Sequence, residues 1–186
     1  MYGFSRAGKD EFSKILKKYY LFKHIHPLSD VYTFLEEHYG LPKDSIMYDS
    51  GKQFIPPGST KTVSHLLVEF FFFVKEKEVG DWSLPFLEKA LSGSIKKNQN
   101  IVLSGIRNQH EVCLIFDLLK KNPNYELIPI SVVRKNHNGY KSDYLQAELY
   151  KELVSFANKT FTIQNDSTLE SYKNNIHLLI QNHILL

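Results

Sequence analysis

The chain has 186 residues, of which 42% are hydrophobic and 23% are charged. This length and composition predict one globular domain with a buried core and argue against a disordered or membrane protein. The net charge of +3 is too small to indicate a nucleic-acid partner. Cys113 is the single cysteine, which excludes an internal disulfide, and the first residues form no apolar signal segment. We therefore expect a cytoplasmic protein.

The first element in chain order is a glycine-containing segment before a predicted helix. Residues 3–10 are Gly-Phe-Ser-Arg-Ala-Gly-Lys-Asp, which is the P-loop spacing of Gly, four residues and Gly-Lys. In such a loop, backbone N–H groups surround phosphate oxygens, the helix N-terminus adds its positive dipole end, and the lysine reaches the β- and γ-phosphates. The pattern predicts an ATP site formed by Gly3, Ser5, Arg6, Ala7, Gly8, Lys9 and Asp10.

This segment departs from the usual pattern in two ways. Asp10 stands where Ser or Thr usually binds Mg²⁺. Since a carboxylate also binds this ion, we expect Asp10 to be the metal ligand. Only Met1 and Tyr2 precede Gly3, so either the chain continues upstream or the first strand is stunted. The alternative interpretation is an N-terminal turn that caps an ordinary helix.

Apolar spacing predicts the elements of the first half of the chain. A helix with apolar residues at 12, 15, 16, 19 and 20 follows the loop, and a short strand covers 21–25. Residues 31–39 are predicted to form a helix that ends at Gly40 and Pro42. Residues 82–91 are predicted to form another, with Asp81 as its N-cap. Residues 63–74 carry a helical stripe, with a strand as a minor alternative for the four phenylalanines at 70–73. This segment is shorter than the ~20 residues that cross a membrane.

Strands and helices alternate in the second half. We predict strands over 101–103, 127–133 and 160–163, a helix with Val112, Ile115, Phe116 and Leu119 on one face, and a helix from 167 onward. Pro129 is unusual inside a strand because it lacks an N–H group. Residues 56–58 and the polar stretch 135–142 are predicted loops within one domain. The alternation favours an α/β fold with a parallel sheet, whose ligands bind beyond the carboxyl ends of the strands.

Three segments resemble the P-loop nucleoside monophosphate kinase superfamily. The ending Gly8-Lys9-Asp10 resembles that of bacteriophage deoxynucleoside monophosphate kinases. Residues 101–108 with Glu111 resemble a strand and turn of those kinases and of dephospho-coenzyme A kinase-like proteins, and residues 163–170 are similar to the segment that closes many of them. The acid that the family places on its third strand is Ser104 or Gly105 here.

The resemblance implies a three-layer αβα P-loop NTPase fold over residues 1–186, with a parallel sheet of about five strands of which the first can be truncated. It further implies a helical acceptor-binding region over 28–97 and a short lid-like segment over 134–147. The last strand and its turn approach the nucleotide base in this family, which implies that Asn165 binds nucleotide.

Three of the 23 basic residues are arginines, and they lie in the loop or after predicted strands. Because arginine binds phosphate in a bidentate way, we expect Arg107 to hold an acceptor phosphate and Arg134 to stabilise the transferring charge from the lid. Lys9, Arg107 and Arg134 are thus the predicted catalytic residues. The alternative is that these arginines form surface or structural ion pairs, Arg107 with Glu111 for instance.

Other substrate-binding candidates are His26, with His24 beside it, Asp30 and Trp82. We expect ATP- and Mg²⁺-dependent phosphoryl transfer to a nucleoside monophosphate or a similar phosphorylated small molecule. The alternatives are a nucleotide-binding or NTP-hydrolysing module without an acceptor, and a non-enzymatic protein that keeps the fold for partner binding. The sequence leaves a homodimer open.

Overall fold

The structure is a computed structural model, and it describes residues 1–2, 7–40, 53–76, 83–106, 108–135 and 141–185. These residues form a mixed α/β protein, as predicted. The elements in chain order are α1 (Lys9–Tyr20), β1 (Lys23–Ile25), α2 (Ser29–Tyr39), α3 (Val63–Glu76), α4 (Ser83–Lys96), β2 (Ile101–Leu103), α5 (Gln109–Lys121), β3 (Ile130–Val133), α6 (Lys141–Phe156), β4 (Phe161–Gln164) and α7 (Leu169–His183).

The strands pair in parallel. β1 pairs with β2 in the register His24 with Val102, and β3 pairs with β4 in the register Val132 with Ile163. Among the described residues these ladders form two separate two-stranded sheets, whereas the sequence predicted one sheet of about five strands.

The first two residues connect to both sheets through backbone groups. Tyr2 forms an isolated parallel bridge with Ser131, with hydrogen bonds of 2.8 Å to the backbone on either side of that residue. The nitrogen of Met1 donates to the carbonyl of Leu103 at 2.7 Å. Met1 and Tyr2 therefore behave as a two-residue strand segment, which is too short to form an extended ladder.

The chain divides into two compact units, and the first comprises Met1–His26 with Glu88–Leu186. α1 and α7 contact each other in this unit. Tyr172, Ile176 and Ile180 form the buried stripe of α7, at the i, i+4, i+8 spacing of one helical face. The stripe packs in one apolar core with residues of α1 and of the strands, namely Phe12, Ile15, Leu16, Val102, Ile130, Val132 and Ile163.

The second unit is Pro27–Leu87. Its core consists of one face each of α2 and α3, and Val63 is fully buried there. This cluster comprises Leu28, Val31, Tyr32, Leu35, Val63 and Leu67. The unit lies within residues 28–97 apart from its first residue, so it coincides largely with the predicted helical region.

Several element predictions are confirmed, and others need correction. The helix over 63–74 is confirmed as α3, and the alternative of a strand at 70–73 is wrong. β3 starts after Pro129, so the strand predicted over 127–133 is too long. The reason is that proline has no N–H group to donate to the ladder. The carbonyl of Pro129 accepts a hydrogen bond from the N–H of Phe161, the first residue of β4. The predicted loop over 135–142 is corrected at its end, because α6 begins at Lys141. Within the described ranges, each helix is too short or too polar to cross a membrane.

Candidate functional site

The predicted phosphate loop ends at Gly8, where α1 begins. Gly8 is the N-cap residue with φ 111°, a left-handed conformation that glycine adopts without steric cost. As a glycine, Gly8 has no side chain with which to cap the first turn. Lys9 is the first helical residue and Asp10, which is exposed, is the second. The helix therefore presents its positive end and a lysine at the same point.

Two side chains from the C-terminal part of the sequence donate hydrogen bonds to the backbone carbonyls of Ala7 and Gly8. We call Ala7 and Gly8 the loop exit. Nδ2 of Asn165 donates to the Ala7 carbonyl at 2.8 Å, and Oη of Tyr172 donates to the Gly8 carbonyl at 3.1 Å. A Cβ added to Gly8 would lie 2.5 Å from Nδ2 of Asn165 and 3.2 Å from the Tyr172 ring. Only glycine fits at this position.

Burial shapes the electrostatics of the loop exit. Tyr172 is fully buried. Burial, and to a smaller extent the carboxylate of Glu11, raise the pKa of its phenol, so the hydroxyl keeps its proton and donates. Burial, with the Lys9 charge second, lowers the pKa of the Met1 amino group to about 5.

A second group of polar residues lies at the carboxyl ends of β1 and β2, and we call it the strand-end cluster: His24, His26, Ser104 and Gly105. Nε2 of His24 and Oγ of Ser104 are hydrogen-bonded at 2.8 Å, and Ser104 is 4% exposed. Gly105 has φ 79°, and a Cβ there would overlap the imidazole of His26. The cluster thus combines two imidazoles and a hydroxyl within one small region.

The carboxyl ends of β3 and β4 are held together by polar contacts. The N–H of Asn165 donates to the Val133 carbonyl at 2.8 Å, and the N–H of Lys135 donates to the carboxylate of Asp166. Arg134 lies between these contacts and is exposed. The predicted residues Arg134 and Asn165 therefore leave neighbouring strands at the same end of the sheet.

A small cavity lies beneath α5 and α6 and is lined mainly by apolar side chains. Met1, Tyr2, Leu103, Leu149 and Tyr150 are among its lining residues, and its volume is about 50 Å³. Pockets for organic ligands usually have at least about 300 Å³, so this cavity is a packing space, too small for a nucleotide.

Comparison with known proteins gives no family. No model of a protein family matches the chain. A search of curated proteins also found no match. The function is therefore inferred from the residues of the chain and their geometry.

The structure brings some of the predicted site residues together and leaves others apart. Ala7, Gly8, Lys9, Asp10 and Asn165 meet at or next to the loop exit. His26 belongs to the strand-end cluster. The backbone of Asp30 lies in the first turn of α2. The remaining predictions lie outside the described residues, namely Gly3, Ser5, Arg6, Trp82, Arg107 and the side chain of Asp30.

The sequence analysis did not single out Tyr172, and it did not predict the contact of Asn165 with the Ala7 carbonyl. Tyr172 lies at the helical spacing of a core stripe, and no signal in the sequence separates it from an ordinary core aromatic residue. Asn165 stays a predicted nucleotide-binding residue, and the structure adds that its side-chain amide donates to the Ala7 carbonyl. Among the described residues, no three His, Cys, Asp or Glu side chains are grouped as a metal site, so Asp10 stays a single-carboxylate candidate.

Proposed function

We propose that the protein is a P-loop phosphotransferase that moves a phosphoryl group from ATP to a phosphorylated small molecule such as a nucleoside monophosphate. The observation that carries the proposal is the start of α1, where the left-handed Gly8 leads directly into a helix whose first residue is Lys9. A helix N-terminus with an adjacent lysine suits the β- and γ-phosphates of a nucleotide. The Gly-x4-Gly-Lys spacing of residues 3–9 supports the same interpretation.

We also propose that the strands belong to one P-loop sheet with the order β1, β2, Met1–Tyr2, β3, β4. Support comes from the backbone contacts of the first two residues, because Met1 bonds to Leu103 of β2 and Tyr2 bridges Ser131 of β3. In this order the segment that leads into the loop is central. The loop then emerges at the carboxyl ends of its neighbours, which is where open parallel sheets bind ligands.

The residues at the loop exit suit magnesium-bound ATP. The helix N-terminus and Lys9 supply positive charge for the triphosphate. Asp10 would hold Mg²⁺ as a single carboxylate, since this ion takes its other ligands from water and substrate phosphates. The bound nucleotide supplies the phosphoryl group, and the protein contributes positioning and charge. His26 in the strand-end cluster, and Arg134 after β3, would contact the acceptor.

The test is an assay of purified protein with ATP, Mg²⁺ and a panel of nucleoside monophosphates plus dephospho-coenzyme A. We expect ADP release that depends on one acceptor, and a loss of at least about 100-fold in kcat/KM for Lys9→Ala, because a charge on the transferring group is removed. Lys17→Ala is the matched control, since Lys17 is exposed in the last turn of the same helix and should keep wild-type activity.

A second candidate function is an NTP-binding or NTP-hydrolysing module without an acceptor. The observation that favours it is the turn after β2, where the kinases that the chain resembles have an acid and this chain has Ser104 or Gly105, and where the Ser104 hydroxyl is hydrogen-bonded to His24. Hydrolysis that no acceptor stimulates would support this candidate against the kinase. Failure to bind ATP would overturn both functions and leave a protein that keeps the fold for partner binding.

A further inference from the structure

Two consecutive carbonyls at the start of α1 each accept a hydrogen bond from a side chain more than 150 residues away in sequence. The donor to Ala7 is Asn165, which follows β4, and the donor to Gly8 is Tyr172, in the first turn of α7. Such long-range contacts tie the loop exit to the end of β4 and the start of α7. The end of β4 and the start of α7 thereby set the backbone direction at Gly8.

Because the peptide bond is planar, a restraint on a carbonyl also restrains the N–H group of the next residue. In a trans peptide the carbonyl of one residue and the N–H of the next point in opposite directions. Fixing the Ala7 carbonyl therefore fixes the direction of the Gly8 N–H, and fixing the Gly8 carbonyl fixes that of the Lys9 N–H. Both N–H groups therefore point away from the Asn165 amide and the Tyr172 hydroxyl.

Helix stability alone does not account for the Tyr172 hydroxyl. The Gly8 carbonyl already accepts the first helical hydrogen bond, from the N–H of Phe12 at 3.1 Å. The hydroxyl adds a second donor to an acceptor that has a partner, and a phenylalanine would fill the same core space. What the hydroxyl adds is a second, long-range restraint on the direction of the peptide between Gly8 and Lys9.

We propose that Asn165 and Tyr172 are positioning residues that aim the Gly8 and Lys9 N–H groups at the nucleotide's phosphates. This inference rests on the proposed function. In this role Asn165 acts through the Ala7 carbonyl on the N–H group that meets a phosphate, and not on the nucleotide base as the resemblance implies. Pre-aimed donors need no reorganisation when the anion arrives, and this increases affinity.

The first experiment compares Tyr172→Phe with Tyr20→Phe. Tyr20 is a matched control because its hydroxyl links the far end of α1 to α7, through Nδ1 of His177 at 2.7 Å. We expect Tyr172→Phe to bind magnesium-bound ATP about tenfold more weakly by isothermal titration calorimetry, the effect of one hydrogen bond. Tyr20→Phe should bind within about twofold of wild type, since each variant loses one hydrogen bond between the same two helices.

The second experiment separates phosphate positioning from base recognition. Asn165→Ala is compared with Asn122→Ala, whose side chain also donates to a backbone carbonyl, that of Leu118, but at the end of α5. Each variant is titrated with ATP and with inorganic triphosphate, which has no base. We expect Asn165→Ala to lose affinity for both ligands by the same factor, and Asn122→Ala to lose none.

The outcomes distinguish the two proposals. If wild type binds neither ATP nor triphosphate, the proposed function fails and the positioning role fails with it. If wild type binds both and Tyr172→Phe binds as tightly as Tyr20→Phe, the positioning role alone is overturned. A loss on Asn165→Ala that appears with ATP but not with triphosphate would also overturn it, because it would assign Asn165 to the base.

Discussion

The loop exit and the strand-end cluster each place a left-handed glycine against a side chain, but they differ in how firmly that side chain is held. Gly8 meets Asn165 and Tyr172, which donate hydrogen bonds to the carbonyls beside it, and Tyr172 is fully buried. Gly105 meets the ring of His26, which is half-buried. The two hydrogen bonds to backbone carbonyls favour a rigid loop exit, and we expect the strand-end cluster to adapt more easily. Under the proposed function, a rigid region suits the phosphates, whose shape is common to all nucleotides. An adaptable region suits an acceptor, whose shape varies from one substrate to another.

The largest effect that separates the two regions is expected from Gly8→Ala. A Cβ there adds left-handed strain and lies 2.5 Å from Nδ2 of Asn165, so the hydrogen bond of that amide to the Ala7 carbonyl would be disturbed. We expect a loss of about 3 kcal/mol in the free energy of unfolding, measured by urea denaturation followed by circular dichroism. Nucleotide binding should be lost as well, because the loop exit has to move.

Gly58→Ala is the matched control for that variant. Gly58 has φ 77°, and nothing lies within 4 Å of a Cβ placed on it, so this change adds strain without a clash. It should cost about 1 kcal/mol. Equal losses for the two variants would contradict the rigid loop exit.

A smaller effect is expected from Gly105→Ala, because the new methyl group meets a half-buried imidazole at the end of a side chain with rotatable bonds. We expect a loss of about 1 to 2 kcal/mol in the free energy of unfolding. Removing the ring with His26→Ala should relieve the overlap, so the double variant should lose less than the sum of the two single losses. Strict additivity in this double-mutant cycle would mean that the ring does not hinder the methyl group.

The positions of most helices and of the strands were predictable from the sequence, whereas the pairing of the strands and the helix α6 were not. Helical stripes such as that of α3 extend over many residues, and caps such as Asn108 and Thr168 fix where α5 and α7 begin. A strand of three or four residues gives a weaker pattern, and its pairing depends on partners that lie far away in sequence. α6 was missed because its first residues belong to the polar stretch 135–142 and suggest a loop.

The site was predictable where local spacing carries the information and not where packing does. Gly8 and Lys9 at the start of a helix follow from the spacing of residues 3–9. The contacts of Tyr172 with Gly8 and of Ser104 with His24 join segments 164 and 80 residues apart. Neither residue type is unusual in a core or at a strand end, so the sequence gives no sign of these pairs.

The smallest effects, with opposite signs, are expected from two buried serines, one near each region. Ser104 has His24 as a hydrogen-bond partner, so Ser104→Ala should lower the free energy of unfolding by about 1 kcal/mol. Ser13 lies in α1, and within the described part of the chain its buried hydroxyl has no hydrogen-bond partner. Ser13→Ala removes an unsatisfied polar atom and adds a better helix former, so it should raise the free energy of unfolding by about 0.5 kcal/mol.

Both changes replace the same hydroxyl by hydrogen at sites of similar burial, 4% and 2% exposed, so differences in transfer free energy nearly cancel. The measurement is the pair of urea midpoints at constant denaturant slope. A destabilised Ser13→Ala would mean that this hydroxyl has a partner after all, such as a bound water. A neutral Ser104→Ala would mean that the strand-end cluster does not need the Ser104 hydroxyl to hold His24.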